Sequence, residues 1–486
     1  MTNPGPRQRA EGLANGTDTS IAVLLTRVRV LVLVVLAVCL LFPSIALKSD
    51  PRVSTFTLDN GMQVVVIPDH RVPVVTHMVI YRVGAADDPW GASGIAHFLE
   101  HLMFKSTDRT KSGDFARIIT GLGGRDNALT AHDTTAYFQR VAKEHLRTVM
   151  ALEAERMVNL RLVEQEIQTE RAVVQEERRS NIDANPVSIL SEQMLAQLYL
   201  NHPYGRPVLG WPDEIAKMSL DDAARTYKRY YAPNNAVLVV AGDATVDEVR
   251  ALAEATYGRN APNFAISPRQ RPQEPEPVGP RWVRVIDERA GTPIILRYYH
   301  VPSFLSARPG EAEALTLLSK ILGGYDASLL HQELVLADPL ASTVGSEYMG
   351  DTLDSGRIAV LVVVNAGVPL EKIERALDLV VAKLHQEGVS QDDLDRARGA
   401  LDAERIFQSD SQMALARHYG EAIALGRTID DMDALPRRLG AISPGDIRRV
   451  AGLLLVPERS VTGVLNPSAI AATSPELSAP LTSHKY

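Results

Sequence analysis

One short pattern occurs twice in this chain, 224 residues apart. Ser219-Leu-Asp-Asp222 precedes Pro233 by 14 residues, and Ser443-Pro-Gly-Asp446 precedes Pro457 by the same 14. Four residues after each proline stands a valine, Val237 or Val461, at the entry to a strand-like run. Ser followed three residues later by Asp marks a helix start, because each side chain can satisfy a backbone N–H of the other. A unit of about 200 residues built twice explains the spacing. At 486 residues the chain is too long for one hydrophobic core. Between the copies, Asn263–Pro280 holds five prolines, which reads as a stiff, exposed linker. The expected fold is therefore α+β: two duplicated domains, 52–262 and 281–468, each a mainly antiparallel sheet packed with helices. The linker is 263–280 and a tail follows at 469–486.

Local patterns fill in the first copy. Ser54–Leu58 and Met62–Ile67 flank Asp59-Asn60-Gly61, the composition of a hairpin with a tight turn. Further strands are expected at 74–83, 125–130, 134–141 and 237–240, with helices from about 95 to 104, at 112–121 and through most of 142–200. The second copy repeats this order: strands near 281–300, helices 310–336, strands 342–365, helices 369–453 and a strand at 459–465. Upstream, the polar residues 1–29 read as a cytoplasmic n-region. Val30–Leu41 is uncharged and apolar, Pro43 breaks it, and Ser44-Ile45-Ala46 offers small residues for cleavage. Residues 30–46 read as a signal peptide or, uncleaved, as a membrane anchor. Either route places the body outside the cytoplasm, in the periplasm. The one cysteine, Cys39, allows no internal disulfide, and the net charge of −8 argues against a nucleic-acid partner.

The chemistry concentrates at His97-Phe98-Leu99-Glu100-His101. Histidines four apart on a helix point the same way and can grip one metal ion together. Glu100 borders the same face, beside whatever water the metal holds. The order reverses the commoner His-Glu-x-x-His and belongs to the inverted zincins, so the expected class is a zinc peptidase. The same pattern also fits a plain amphipathic helix with Phe98, Leu99, Leu102 and Met103 in the core.

Two histidines need a third protein ligand. Glu170-Arg-Ala-Val-Val-Gln-Glu-Glu177 offers Glu170 and Glu177 two helical turns apart, with Val173 and Val174 between them on a face expected to be buried. Glu176 points elsewhere, toward solvent. A charged surface helix, with salt bridges to Arg171 and Arg178, fits the spacing equally well.

Taken together, these stretches resemble the pitrilysin, insulin-degrading enzyme and mitochondrial processing peptidase family. The resemblance rests on Gly94–Thr107, Gly123–Ala128, Thr130–Tyr137, Tyr231-Ala-Pro-Asn-Asn235 and the interval from His101 to Glu177, and extends from about 53 to 466. It implies that His97, His101 and Glu177 bind one Zn2+ per chain. Glu100 would be the general base, and Glu170 a supporting glutamate. Asn127 and Ala128 would lie on an edge strand that holds the substrate backbone. The two domains would form half of a clamshell chamber.

One departure bears on partnership. Active members carry an arginine and a tyrosine, seven apart, in the other half of the chamber, and here Val335 and Ser342 stand at those positions. The resemblance then implies a zinc-bearing subunit that dimerises with a homologous subunit supplying the Arg/Tyr pair. Its substrates would be peptides or unfolded segments outside the cytoplasm. The alternative is a non-catalytic scaffold subunit derived from the same family.

Overall fold

The structure, a computed structural model, describes residues 53–467. The expected signal or anchor at 30–46, the n-region, Cys39 and the tail lie outside the described residues. Among those described, no helix is long and apolar enough to cross a membrane.

Eleven strands form two sheets among the described residues. The first contains β1 (Ser54–Thr57), β2 (Gln63–Pro68), β3 (Val74–Tyr81), β4 (Arg125–Thr130), β5 (Thr135–Ala142) and β6 (Ala236–Gly242), in the order β1-β2-β6-β3-β5-β4. The second contains β7 (Arg281–Ile286), β8 (Ile294–Pro302), β9 (Ala341–Met349), β10 (Ser355–Val364) and β11 (Ser460–Asn466), in the order β7-β11-β8-β10-β9. Without β1 the two orders are the same. Each sheet has one parallel pair, β2 with β6 and β7 with β11, and is otherwise antiparallel. The duplication read from the sequence is thus a duplicated topology. Residues 264–280, between the two sheets, carry neither helix nor strand.

Six helices build the site and cover the sheets around it: α1 (Ile95–Leu102), α2 (Glu164–Arg178), α3 (Pro186–Leu198), α4 (Leu220–Tyr230), α5 (Gln412–Leu425) and α6 (Pro444–Leu454). The two Ser-x-x-Asp signals form reciprocal caps at the starts of α4 and α6. Asn185 caps α3, its side chain accepting from the N–H groups of Val187 and Ser188 ahead of Pro186.

The strands are apolar on both faces, and the packing says why. In β2, Val64 and Val66 enter a core with Phe98, Leu99 and Leu102 of α1, while Val65 and Ile67 face the other way onto Ala416, Ile423 and Ala424 of α5. In the second sheet, Ile295 and Tyr299 of β8 enter its own helical core, while Leu296 and Tyr298 pack with Leu190, Met194 and Leu198 of α3. Each half therefore lends one helix to cover the other half's sheet. The loan is reciprocal, as expected for two copies of one unit in self-complementary contact. The approach is close. A Cβ on Gly420 of α5 would sit 2.5 Å from Ile80 Cδ1, and one on Gly463 of β11 2.2 Å from Met194 Sδ.

The proline-rich segment is largely exposed, as expected, with an exception at Arg271. Arg271 lies within it, yet its side chain is only 4% exposed. It pairs with Asp87 at 2.8 Å, Asp133 at 2.5 Å and Asp354 at 3.0 Å. Tyr204 donates to Asp133 at 2.6 Å. Asp354 belongs to the β9–β10 connection and the other two aspartates to the first sheet's loops, so the guanidinium ties both sheets to the segment between them. Removing it would strand buried carboxylates without their counter-charge, which typically costs about 3–5 kcal/mol. Arg271→Met is accordingly expected to lower unfolding free energy by about that amount in denaturant titration. A change under about 0.5 kcal/mol, the size of an ordinary surface substitution, would contradict this role.

Candidate metal centre

The motif helix is held in place at its start. Gly94 precedes it in the left-handed region, φ +87°, and a Cβ there would sit 2.5 Å from the Leu209 carbonyl oxygen. That position therefore requires glycine. The buried Asp88 carboxylate accepts from the N–H groups of Gly94 at 2.6 Å and Ala96 at 3.1 Å, satisfying two donors at the helix start. Burial pushes its pKa up to about 8, against those two bonds and the charge of Arg206. From this start α1 drives Ile95, Phe98, Leu99 and Leu102 into the first core. His97 and Glu100 end up 7% and 9% exposed, and His101 lies partly open beside them.

α2 packs against α1. Its buried stripe is Ile167, Glu170, Val174 and Arg178. The expectation that Val173 shares the buried face is not met: it is 43% exposed, because the stripe runs through 167, 170, 174 and 178 and leaves 173 at its margin. Glu176 faces solvent, as expected, and pairs there with Arg179 at 2.7 Å. Arg178, by contrast, is buried. It pairs with Glu192 of α3 at 2.8 Å and donates to the Gly210 carbonyl at 2.9 Å. These bonds clamp the end of α2 next to Glu177.

The fold brings residues 76 positions apart into one cluster. Glu177 Oε2 lies 3.1 Å from His101 Nε2 and 3.6 Å from His97 Nε2. His101, Glu177 and His97 offer ligand atoms that all fall within 4.8 Å of one another. Glu170 Oε2 sits 3.3 Å from His101 Nδ1, and its Oε1 pairs with Lys105 at 2.6 Å. A carboxylate behind the imidazole in this way keeps a proton on Nδ1 and turns Nε2 toward the cluster. Glu100 Oε2 accepts from Thr130 Oγ1 at 2.6 Å. His97 Nδ1 is buried with no hydrogen-bond partner among the described residues.

The electrostatics suit a cation. Burial, and then the neighbouring His101, push the His97 imidazole down to about 4, so it is neutral at pH 7 and its lone pair is available. Burial also works against charge on His101, but hydrogen bonds to Glu170 and Glu177 outweigh it and raise the pKa to about 9. The bond from His101 holds Glu177 below the usual carboxylate range. Glu170 is held low too, its bonds to His101 and Lys105 overcoming burial. Burial pushes Glu100 up, and Thr130 opposes it. Two imidazoles and a carboxylate form a donor set that zinc takes at catalytic centres, with a position left for water. The residues present fit that ion.

A cleft of about 600 Å³ opens over the cluster. Its wall includes Asn127, Ala128, Leu129 and Thr130 of β4, and Val208 and Leu209. Among the described residues β4 is the edge of its sheet and pairs only with β5. Asn127 and Ala128 thus lie where an extended chain can reach both the strand edge and the cluster. Val335 is part-buried against the second core, and Ser342 is the second residue of β9, the edge of the second sheet among the described residues, its hydroxyl 3.4 Å from the Val363 carbonyl. Neither can supply the charge or the phenol expected at those positions in active relatives.

The sequence assigns no role in the site to Asp88, Lys105 or Thr130, and it offers Arg178 only as a surface salt-bridge partner. Asp88 stands seven residues before α1, beyond the Ser-x-x-Asp capping interval that flags a helix start in a sequence. The others act through partners on different elements, which no spacing reveals.

A duplicated α+β body carrying two imidazoles, a carboxylate and a neighbouring glutamate beside an open strand edge has the framework of a metallopeptidase. The chain belongs to peptidase family M16, the insulinase family. Residues 63–211 match the family model described as Insulinase (Peptidase family M16), and residues 217–401 the one described as Peptidase M16 inactive domain. Zinc protease PqqE of Helicobacter pylori is 31% identical over 420 residues, covering 86% of this chain and 93% of that protein. The crystal structure of a protease from Helicobacter pylori superposes with a TM-score of 0.81 at 30% identity, covering 86% of this chain and all of that one. The periplasmic protease PqqL from Escherichia coli shares the fold at a TM-score of 0.75 and 22% identity, covering 88% of this chain and 49% of the PqqL chain. The family and the half-clamshell fold read from the sequence are both upheld.

Proposed function

We propose that this protein is a zinc metalloendopeptidase, or the zinc-bearing catalytic subunit of one, that hydrolyses peptide bonds in peptides and unfolded segments outside the cytoplasm. The observation that carries this reading is the convergence of His97, His101 and Glu177 with Glu100 beside them, in a cleft walled by an unpaired strand edge. His97 Nε2, His101 Nε2 and Glu177 would hold one Zn2+. Zinc there would supply Lewis-acid polarisation of the scissile carbonyl and a water of lowered pKa.

The remaining steps belong to the chain's own groups. A peptide extends the first sheet by pairing with β4, where Asn127 and Ala128 receive its backbone. Pairing presents the scissile bond in extended form, which favours peptides and unfolded segments over folded proteins. Glu100 takes a proton from the attacking water and returns it to the leaving amine. Glu170 pairs with His101 Nδ1 and so aims Nε2 at the cluster, where a bound zinc would take the place of the Nε2 proton.

The catalytic domain is 52–262, and 281–468 is its homologue without a metal motif. The chain matches about half the length of PqqL, and Val335 and Ser342 occupy the Arg/Tyr positions. Both points support assembly with a homologous subunit that supplies the pair. The apolar run 30–41 and the periplasmic setting stated for PqqL support a periplasmic location, with 30–46 as signal or anchor. The same two substitutions also favour a second reading, a scaffold subunit of the family that cleaves nothing.

Cleavage of an unstructured, internally quenched peptide separates the two readings. The zinc-loaded chain together with a homologous subunit carrying Arg/Tyr is expected to cleave it, to stop when zinc is chelated and to resume on zinc addition. Zinc-loaded protein that cleaves nothing with that subunit present would leave the scaffold reading standing. The chain alone cleaving at the full rate would contradict dependence on a partner.

A further inference from the structure

We propose that Thr130 is the positioning residue for Glu100, joining the strand edge that receives the peptide to the group that moves the proton. This rests on Glu100 acting as the general base. The Thr130 hydroxyl donates to Glu100 Oε2 at 2.6 Å, a short hydrogen bond. Both side chains are buried, at 8% and 9% exposure, so water does not compete for the bond. Among the described residues no hydrogen bond reaches Oε1. The hydroxyl thus occupies one carboxylate oxygen and leaves the other to the cleft.

That division decides where the proton goes. Thr130 has a single hydroxyl proton and commits it to Oε2, which makes this oxygen the poorer acceptor. In the forward step an O–H bond of the attacking water breaks and an Oε1–H bond forms. In the return step Oε1–H breaks and a new N–H bond forms on the leaving amine. Without the hydroxyl, Glu100 is free to turn about its terminal torsion, whose minimum is broad. The carboxylate then spends part of its time facing away from the cleft.

Thr130 is well braced for this task. It is the last residue of β4 and pairs with Thr135 of β5. Thr135 Oγ1 donates to the Val83 carbonyl at 2.9 Å. The turn after Thr130 is tied to the segment that leads into α1: Ala85 N–H donates to the Ala131 carbonyl at 3.0 Å, and Ala86 N–H to the His132 carbonyl at 2.9 Å. Asp88 of that segment caps α1. Donor and acceptor are therefore fixed to one frame. The three residues before Thr130, Asn127 to Leu129, wall the cleft on the same strand, so a peptide paired with β4 also steadies the threonine.

Thr130→Val tests the assignment, because it keeps the β-branched shape and strand preference and removes only the hydroxyl. In the zinc-loaded chain with its partner subunit, T130V is expected to lower kcat about 10- to 100-fold, the usual cost of losing a group that orients a catalytic residue. KM, zinc per chain and thermal midpoint should stay at the wild-type values, and Thr130→Ser should restore most of kcat. Wild-type kcat in T130V overturns the proposal. So does a loss fully accounted for by missing zinc or a lowered midpoint, or one that T130S shares. Glu100→Gln serves as the control: wild-type cleavage there would sink the general-base reading and this proposal with it. Wild-type T130V beside an inactive E100Q would sink only the threonine's role. A crystal structure of zinc-loaded T130V reads the orientation without turnover. The Glu100 carboxylate is expected to leave its present position, and its staying there would count against the proposal.

Discussion

Glu100→Gln is expected to abolish measurable peptide cleavage while leaving the metal in place. Losing a positioned general acid–base lowers kcat by a factor of about 10²–10⁴. Glutamine has nearly the same shape, and its amide oxygen can still accept from Thr130, so the burial of the site need not change. Glu100 is not among the three residues whose ligand atoms converge, and zinc content should therefore be unaltered. The change should fall on kcat with KM nearly constant, because the carboxylate acts on the proton and not on the peptide backbone. The check is a parallel measurement of steady-state kinetics and metal content. Zinc retained with cleavage near the wild-type rate would remove Glu100 from the chemistry.

Glu177→Ala is expected to have the opposite signature, loss of the metal itself. Two imidazoles remain, and a zinc site of two protein ligands is incomplete. Disturbing groups that merely support ligands already costs about 10- to 100-fold in affinity, so loss of a ligand should cost more than that. The variant should therefore emerge from dialysis without zinc. It should also lose the stabilisation that zinc confers, about 2.7 kcal/mol at a zinc concentration 100 times the dissociation constant. Thermal unfolding with and without added zinc reads this directly. The wild type should shift upward and E177A should not. An equal shift in both would show that Glu177 holds nothing.

These two expectations draw on information of different kinds. The histidine pair is legible in the sequence because an interval of four on a helix fixes geometry locally. Asn60-Gly61 between β-rich runs, the Ser-x-x-Asp caps and the paired prolines are local in the same sense, and each element they announce is present. Glu177 is not local. Its helix offered two glutamates on one side and a surface alternative, and only the resemblance singled it out. The error at Val173 has the same origin: spacing gives a face, but the width and centre of the buried stripe are set by what packs against it. The helices α3 and α5 carry the point further. Their apolar residues announce a buried face, yet no local pattern says that each covers the other half's sheet. Arg271 shows the converse. A proline-rich, polar run reads as exposed, and its arginine is buried only because three aspartates from distant loops meet it there. Thr130 and Asp88 act across the fold and left no trace in spacing at all.

The most direct measurement is a crystal structure of the zinc-loaded protein with anomalous data at the zinc edge. One peak per chain is expected, bonded at about 2.0–2.2 Å to His97 Nε2, His101 Nε2 and a Glu177 carboxylate oxygen, with Glu100 near it but unbonded. Protein that takes up no zinc, or a peak away from these three side chains, would contradict the proposed metallopeptidase site.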